Sequence, residues 1–557
     1  MNRHVNRRIR LFLAVLFLVF GGLLARATWL QSVRAESLSA LGSTQHRESV
    51  TLPAGRGTIY DRVGLELALG ERATTVYANP MQIVNPRRAA LAVERTLGVE
   101  ANRLYPMLAD HTKGFVYVAR QADPAQAAAL QRLKLPGFGF YPEERRNYPQ
   151  RSVAAQVLGY VGTDGNGLSG LELQFDKGLS GRAGKETVVK DPGGQVIDVQ
   201  NEQPEIPGKD VYLTLDHSIQ ANAEEVLRET VHKWSAKSAS AIVLDPRTGA
   251  ILAMATQPGY NANLFPSVPS DLQRNRTITD TYEPGSTFKL MTVAGALSEG
   301  IVSPTTRFTL PYQLQVADRV IHDAEERGTV NYSVAQILAH SSNIGAITLA
   351  EMLGRTRLSS WISKFGFGRT TGVDFPGESP GIVLPQDKWS GSTIGNVPIG
   401  QGIAVTPVQM AAAYAAVANR GVWSRPHLVD HVAGGGRPSL YHRRLVSPRV
   451  AQQLMMMLKD VVAEGTGTYA AMPGYQVAGK TGTAQKPDST GGYATGRYVA
   501  SFVGIVPASR PRFVILVAVD EPRGAIWGGT VAAPAFQQIA RFDLQYLEVP
   551  PDAAPVH

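Results

Sequence analysis

The chemistry legible in this 557-residue chain is concentrated in three short runs. The first is Glu283-Pro284-Gly285-Ser286-Thr287-Phe288-Lys289. Pro-Gly breaks whatever precedes it. The residues after it (Phe288, Leu290, Met291, Val293, Ala294, Ala296, Leu297) are apolar almost all round, the pattern of a buried helix. Ser286 would begin that helix, where the dipole favours negative charge. Lys289, three residues on, would lie beside it on the same face. Desolvation can lower a lysine pKa by roughly 3–5 units, and a neutral amine one turn from a hydroxyl is a general base beside a nucleophile. An isolated Ser-x-x-Lys is more often a helix start whose lysine reaches solvent, but this tetrad occurs once in the chain.

The second run is Ser341-Ser342-Asn343, between the helical patterns Val334 to His340 and Ile344 to Leu353; alone it would be only a cap. The third is Lys480-Thr481-Gly482-Thr483, inside a strand-like run that begins at Tyr475. A glycine within a strand often marks close approach of a ligand or another backbone. The lysine and the two threonines offer a cation and hydroxyls suited to a carboxylate.

The elements that must position these runs follow from periodicity. Ile219 to Trp234 has the apolar spacing of an amphipathic helix. Ala239 to Leu244 and Ala250 to Ala255 are two apolar runs joined by Asp245-Pro246-Arg247-Thr248-Gly249, a hairpin signal. Tyr475 to Gln485, Tyr498 to Val506 and Arg512 to Val519 are three further strands, and Ala532 to Leu547 a closing helix. Between the strand groups some 200 residues are mainly helical in pattern, including Ser286 to Leu297 and Val334 to Leu353. The order predicts an α+β domain over 211–547, with an antiparallel five-stranded sheet covered by helices on both sides. A different texture precedes it. Residues 51–210 are a mosaic rich in Gly, Pro, Arg and Tyr, with helix-like stretches at Arg87 to Leu97 and Pro124 to Leu133, and read as an irregular N-terminal pedestal.

At the N-terminus Arg3, Arg7, Arg8 and Arg10 precede an apolar run from Leu11 to Ala25, extended through Arg26 to Trp29 and Leu30. At 1.5 Å per residue the extended run reaches about 30 Å, enough to cross a bilayer. We read 1–10 as a cytoplasmic N-terminus, 11–30 as a transmembrane anchor and 31–50 as a helical or extended stalk, with the rest of the chain outside. Ala25-Arg26-Ala27 also has the form of a signal cleavage site, so a cleaved leader stays open. Residues 548–557 read as a disordered tail. Four of the nine net positive charges sit in the first ten residues, and no basic stripe interleaved with aromatics appears, so nucleic acid is not a partner. The absence of cysteine excludes disulfides and thiolate chemistry. Gly165-x-Gly167-x-x-Gly170 has dinucleotide spacing but no βαβ context, and the histidines form no metal motif. Neither a cofactor nor a metal is expected.

The three runs occur in the order Ser-x-x-Lys, Ser-x-Asn, Lys-Thr-Gly, with steps of 55 and 139 residues between their first members. This is the active-serine set of penicillin-binding proteins and serine β-lactamases. Over nearly its whole length the chain resembles a class B (monofunctional) penicillin-binding protein. Arg56-Gly57-Thr58-Ile59-Tyr60-Asp61-Arg62-Val63-Gly64, Arg146-Asn147-Tyr148-Pro149 and Gly167-Leu168-Ser169-Gly170-Leu171-Glu172 look like that family's N-terminal motifs. Leu244 to Gly249 and Asn275-Arg276 through Lys289 look like its approach to the nucleophile. Ala478 to Lys486, Tyr498 to Pro507 and Asp520-Glu521-Pro522 look most like the septal, division-specific branch. Gln156 stands where many relatives carry His, and Ser342 where others carry Asp.

The resemblance implies a penicillin-binding transpeptidase fold on a dimerisation-type pedestal. It implies a peptidoglycan D,D-transpeptidase that acts on D-Ala-D-Ala stem peptides and is acylated by β-lactams. Ser286, Lys289, Ser341 and Asn343 would be catalytic, and Lys480, Thr481, Gly482 and Thr483 would bind the substrate carboxylate. A polytopic glycosyltransferase and division-complex proteins would be partners. An elongation-type transpeptidase, a D,D-carboxypeptidase and a β-lactamase are the competing enzymes, and a division scaffold is the competing non-enzymatic role.

Overall fold

The computed structural model describes residues 3–32, 47–190, 196–437, 439–488 and 491–553. These fall into two compact units, residues 1–55 with 181–208 and residues 56–180 with 209–557. In the first unit, a helix spans Arg3–Ser32. Its stretch Asn6–Ser32 is 27 residues of mean hydropathy 2.2, long and apolar enough to cross a membrane. The same unit holds a three-stranded antiparallel sheet in the order Arg47–Leu52, Gly184–Lys190, Val196–Gln203. Most of the expected stalk, residues 33–46, lies outside the described residues, and its end at Arg47 is already strand.

The second unit begins with the pedestal segment, which is more regular than its mosaic sequence suggests. A long strand, Glu66–Ala78, pairs with Phe138–Asn147 on one side and Val116–Ala122 on the other. Helices Pro86–Leu97, Ala101–Ala109 and Pro124–Arg132 pack with these strands around Val76, Val93, Leu104, Val118 and Leu130. Two of these helices start where local rules place them. Asn85 and Asp123 are N-caps whose side chains accept backbone N–H bonds, and each is followed by a proline at the first helical position. The three N-terminal motifs meet at one buried ion cluster. Arg56 Nε donates to Glu172 at 2.8 Å and its Nη1 to Asp176 at 2.7 Å, while Arg146 Nε donates to Glu172 at 2.6 Å. Gln156 donates to the carbonyls of Pro258 and Leu272, both at 3.2 Å. The glycines of Gly165-x-Gly167-x-x-Gly170 form a turn into a five-residue helix, Gly170–Gln174, and not a βαβ unit.

The larger α+β body contains helix α1 (His217–Lys233), hairpin β1–β2 (Ser238–Leu244, Ile251–Gln257), helix α2 (Lys289–Ser298) and helix α3 (Asn343–Phe365). Helices α4 (Pro407–Ala418) and α5 (Pro448–Ala463) follow, then strands β3 (Ala478–Pro487), β4 (Tyr493–Val506) and β5 (Phe513–Asp520), and helix α6 (Gly528–Tyr546). The five strands form one antiparallel sheet in the order β2-β1-β5-β4-β3. Alternate residues face opposite layers. Ala241, Val243, Phe502, Ile515 and Val517 pack with α1 and α6, while Ile242, Leu244, Val503, Val514 and Leu516 pack with α2, α4 and α5. Both faces are therefore buried, and β3 is left at a sheet edge beside the turn that leads into α2.

One stretch read as mainly helical is not. Residues 307–333 form two antiparallel pairs, Arg307–Leu310 with Val330–Ser333 and Gln313–Val316 with Arg319–His322. Alternating polar and apolar residues there have period two, and the flanking helices obscured it. Of the tail expected to be disordered over 548–557, residues 554–557 lie outside those described. The part before them is tied down: Asp552 accepts from the backbone N–H groups of Gln476 and Ser509, and Tyr475 Oη donates to the Val549 carbonyl.

Candidate active site

The nucleophile turn is built before the helix proper. Gly285–Phe288 is a single 3-10 turn that runs into α2, so Ser286 stands half-buried at the mouth of the helix. Gly285 takes φ +54, in the left-handed region that glycine occupies without penalty. It also lies against β3: a Cβ placed on it would come within 2.8 Å of the Thr483 carbonyl oxygen. Contact is reciprocal, because a Cβ on Gly482 would come within 2.8 Å of the Pro284 carbonyl. Two bonds fix the turn internally and from below. Thr287 Oγ1 donates to the Pro284 carbonyl at 2.7 Å, and buried Tyr414 of α4 donates its hydroxyl to the Thr287 carbonyl at 2.8 Å.

Lys289 connects the first run to the second. It is 1% exposed, and Nζ donates to the Ser341 carbonyl, to Ser341 Oγ at 3.2 Å and to Asn343 Oδ1 at 2.6 Å. Burial lowers its pKa to about 7, against an opposing pull from the Asp323 carboxylate. The amine is thus poised between base and acid near neutral pH. Ser341 has φ +58, which turns the chain between the helix Val334–Ala339 and α3 and lets its carbonyl and hydroxyl both face the amine. Ser342 caps α3 by accepting from Gly345 N at 3.0 Å, and Asn343 Nδ2 donates to the His322 carbonyl at 2.8 Å.

The third run completes the cleft. Lys480 is fully buried on β3, and its Nζ donates to the carbonyl and hydroxyl of Thr481, both at 3.3 Å. Burial, and then the nearby Lys289, hold its pKa well below the usual lysine value. A carboxylate placed in the cleft would reverse that balance by supplying the missing counter-charge. Thr481 Oγ1 also pairs with Thr466 Oγ1 at 2.7 Å, and Thr483 Oγ1 accepts from Gly528 N at 3.1 Å, at the start of α6. A separate cavity of about 240 Å³ lies beside the later part of β3, walled by Arg276, Tyr282, Glu283, Gln485 and Lys486 among others and not by Ser286, Lys289, Ser341 or Lys480.

Of the eight residues singled out by sequence, Ser286 lies on the nucleophile turn, Lys289 begins α2, Ser341 and Asn343 stand where α3 begins and the other four lie on β3. The bonds of Lys289 to Ser341 and Asn343 and the close approach of Gly285 to Thr483 bring these elements together. Several residues that shape the site were not singled out. Tyr414 and Gly528 come from distant helices, and no local pattern marks them. Asp323 follows the second hairpin, where a lone acidic residue in a loop carries no signal.

Comparison with known proteins identifies the family. Residues 239–541 match the penicillin binding protein transpeptidase domain, and residues 51–213 the penicillin-binding protein dimerisation domain. The chain is 33% identical over 563 residues to the peptidoglycan D,D-transpeptidase FtsI of Escherichia coli, covering 99% of this chain and 93% of that protein. It is 34% identical to the probable peptidoglycan D,D-transpeptidase PbpC of Pseudomonas aeruginosa, covering 98% and 97%. Among solved structures, penicillin binding protein 3 from Mycobacterium tuberculosis superimposes with a TM-score of 0.71 at 31% identity, over 91% of this chain and 99% of that one. The two family matches together span most of the chain, and the chain belongs to the penicillin-binding proteins, as a serine-type D,D-transpeptidase.

Proposed function

We propose that the chain crosslinks peptidoglycan stem peptides during septal wall synthesis, with Ser286 as nucleophile and Lys289 as its general base. The observation that carries this reading is the junction at Lys289. One buried amine, one turn from Ser286, grips Ser341 and Asn343, while the turn that bears Ser286 presses on Gly482 and Thr483. Neutral Lys289 takes the Ser286 hydroxyl proton as Oγ attacks the carbonyl carbon between two terminal D-alanines. Backbone N–H groups of Ser286 and Thr483 hold the oxyanion, where one such donor is worth about 3–4 kcal/mol. The C–N bond then breaks, and the proton passes from Lys289 through Ser341 to the departing D-alanine nitrogen. An amine of a neighbouring stem attacks the ester, loses its proton to the same relay, and frees Ser286. Thr481 and Thr483, with Lys480 behind them, receive the terminal carboxylate, and Asn343 orients Lys289 and the donor amide. A β-lactam follows the first half of this path and stays on Ser286.

The N-terminal helix anchors the chain as a single pass, with Arg3 to Arg10 on the cytoplasmic side and the catalytic body outside. Septal partners, a polytopic glycosyltransferase and division proteins, belong to the same proposal and rest on the likeness of Ala478 to Lys486 and Tyr498 to Pro507 to that branch. Labelling of membranes with a fluorescent penicillin tests the chemistry. Wild type should label and Ser286→Ala should not; a Ser286→Ala protein that still labels would refute the assignment. Fluorescence imaging of the full chain should place it at the septum, and uniform side-wall signal would remove the septal part.

A further inference from the structure

Asp323 lies outside the three motifs, yet its carboxylate is the most heavily bonded group behind them. It is 6% exposed. Oδ1 accepts from the backbone N–H of Asn343 and, at 3.1 Å, of Ile344, and the Ser342 hydroxyl donates to the carboxylate, 3.0 Å from Oδ2 and 3.2 Å from Oδ1. Arg327 pairs with it from the same loop, Nε lying 2.9 Å away, and fixes that loop through the Leu310 and Gly328 carbonyls. The carboxylate thus sits on the N-terminus of α3, where a negative charge is favoured. It holds Asn343, whose Oδ1 receives Lys289, and Ser342, which joins Asn343 to Ser341, the residue whose Oγ also receives Lys289.

We propose that Asp323 is a positioning residue for acylation: it locks the Ser341–Asn343 turn onto Lys289 and supplies the negative charge that this buried amine faces. The proposal rests on the assignment of Ser286 and Lys289 above. Around Lys289 the charged groups are Asp323 from the hairpin loop and Lys480 from β3. Around Asp323 they are Arg327 on its own loop and Lys289 on α2; His322, next in chain, is exposed and bonds through Nδ1 to the Asp323 carbonyl, and Glu325 and Glu326 are exposed. The pull of Asp323 favours the cationic lysine, opposing burial. Removing that charge therefore extends the neutral, basic form to lower pH. Removing Arg327 leaves Asp323 unneutralised and does the reverse.

The test is the second-order rate of acylation by a fluorescent penicillin between pH 5 and 9, for wild type, Asp323→Asn and Arg327→Gln, each checked by melting. In Asp323→Asn the acid limb should move down by about one pH unit, the low end of what a nearby opposite charge commands, and the plateau should fall roughly tenfold as the turn loosens. In Arg327→Gln the limb should move up. A limb that stays in place in both variants, whatever happens to the plateau, makes Asp323 a purely structural cap and overturns the proposal. If Asp323→Asn does not fold, the direction of the Arg327→Gln limb decides alone. Labelling of Ser286→Ala would instead break the reading beneath it, so the two failures are distinguishable.

Discussion

The contact between the nucleophile turn and β3 makes Gly285→Ala an informative perturbation. Two costs add there. Alanine at φ +54 loses about 1–2 kcal/mol relative to glycine. Its Cβ would meet the Thr483 oxygen at 2.8 Å, against at least 3.4 Å for an ordinary contact, so the turn and strand must part by about half an ångström. That displacement falls between Ser286 and the strand proposed to receive substrate, where a 1 Å misplacement would cost on the order of 10²-fold in rate. Gly300, just past α2, supplies the control: it has φ +69 and nothing within 4 Å of its Cβ position. Gly300→Ala, which bears the φ cost alone, should therefore lower the melting temperature by a few degrees, and Gly285→Ala by more. Only Gly285→Ala should slow acylation by a fluorescent penicillin, by roughly 10-fold to 100-fold. Equal acylation rates in the two variants would show that the close approach does not set the reactive geometry.

The remaining predictions concern charge. On the proposed mechanism Lys289 acts as base only when neutral, and burial lowers its pKa to about 7, so acylation should rise about tenfold per pH unit below that value and flatten above it. Stopped-flow rates still climbing at pH 9 would mean that the amine keeps an ordinary pKa. In the pedestal, Glu172 is fully buried between Arg56 and Arg146, and Glu172→Gln would leave two buried guanidinium groups short of a counter-charge. A loss of about 3–5 kcal/mol should follow, read as earlier unfolding in urea; an unchanged midpoint would show that the cluster contributes specificity and not stability.

What was legible in the sequence was local. Ser286 and Lys289 announce themselves because Pro284-Gly285 breaks the chain immediately before an all-round apolar helix, and four of the five strands of the body because each is a compact apolar run between turns. The pedestal was less legible for a physical reason. Its sheet continues through the short strands Val211–Leu213 and Val429–Val432, so part of its pairing is supplied from more than 200 residues away. The hairpins at 307–333 were obscured because four-residue strands give too few periods to stand out from the helices around them. Asp323 had no signal at all: its importance comes from the N-terminus of a helix that begins 20 residues later, which only the folded chain brings to it.

The central claim is that Lys289 and the Lys480–Thr483 strand converge on one reactive hydroxyl, Ser286. Peptide mapping by mass spectrometry after exposure to benzylpenicillin tests it most directly. The peptide containing Ser286 should carry a single intact penicilloyl adduct, abolished by denaturing the protein first. An adduct on Ser341, on any residue outside the cleft, or none at all on folded protein would contradict the account.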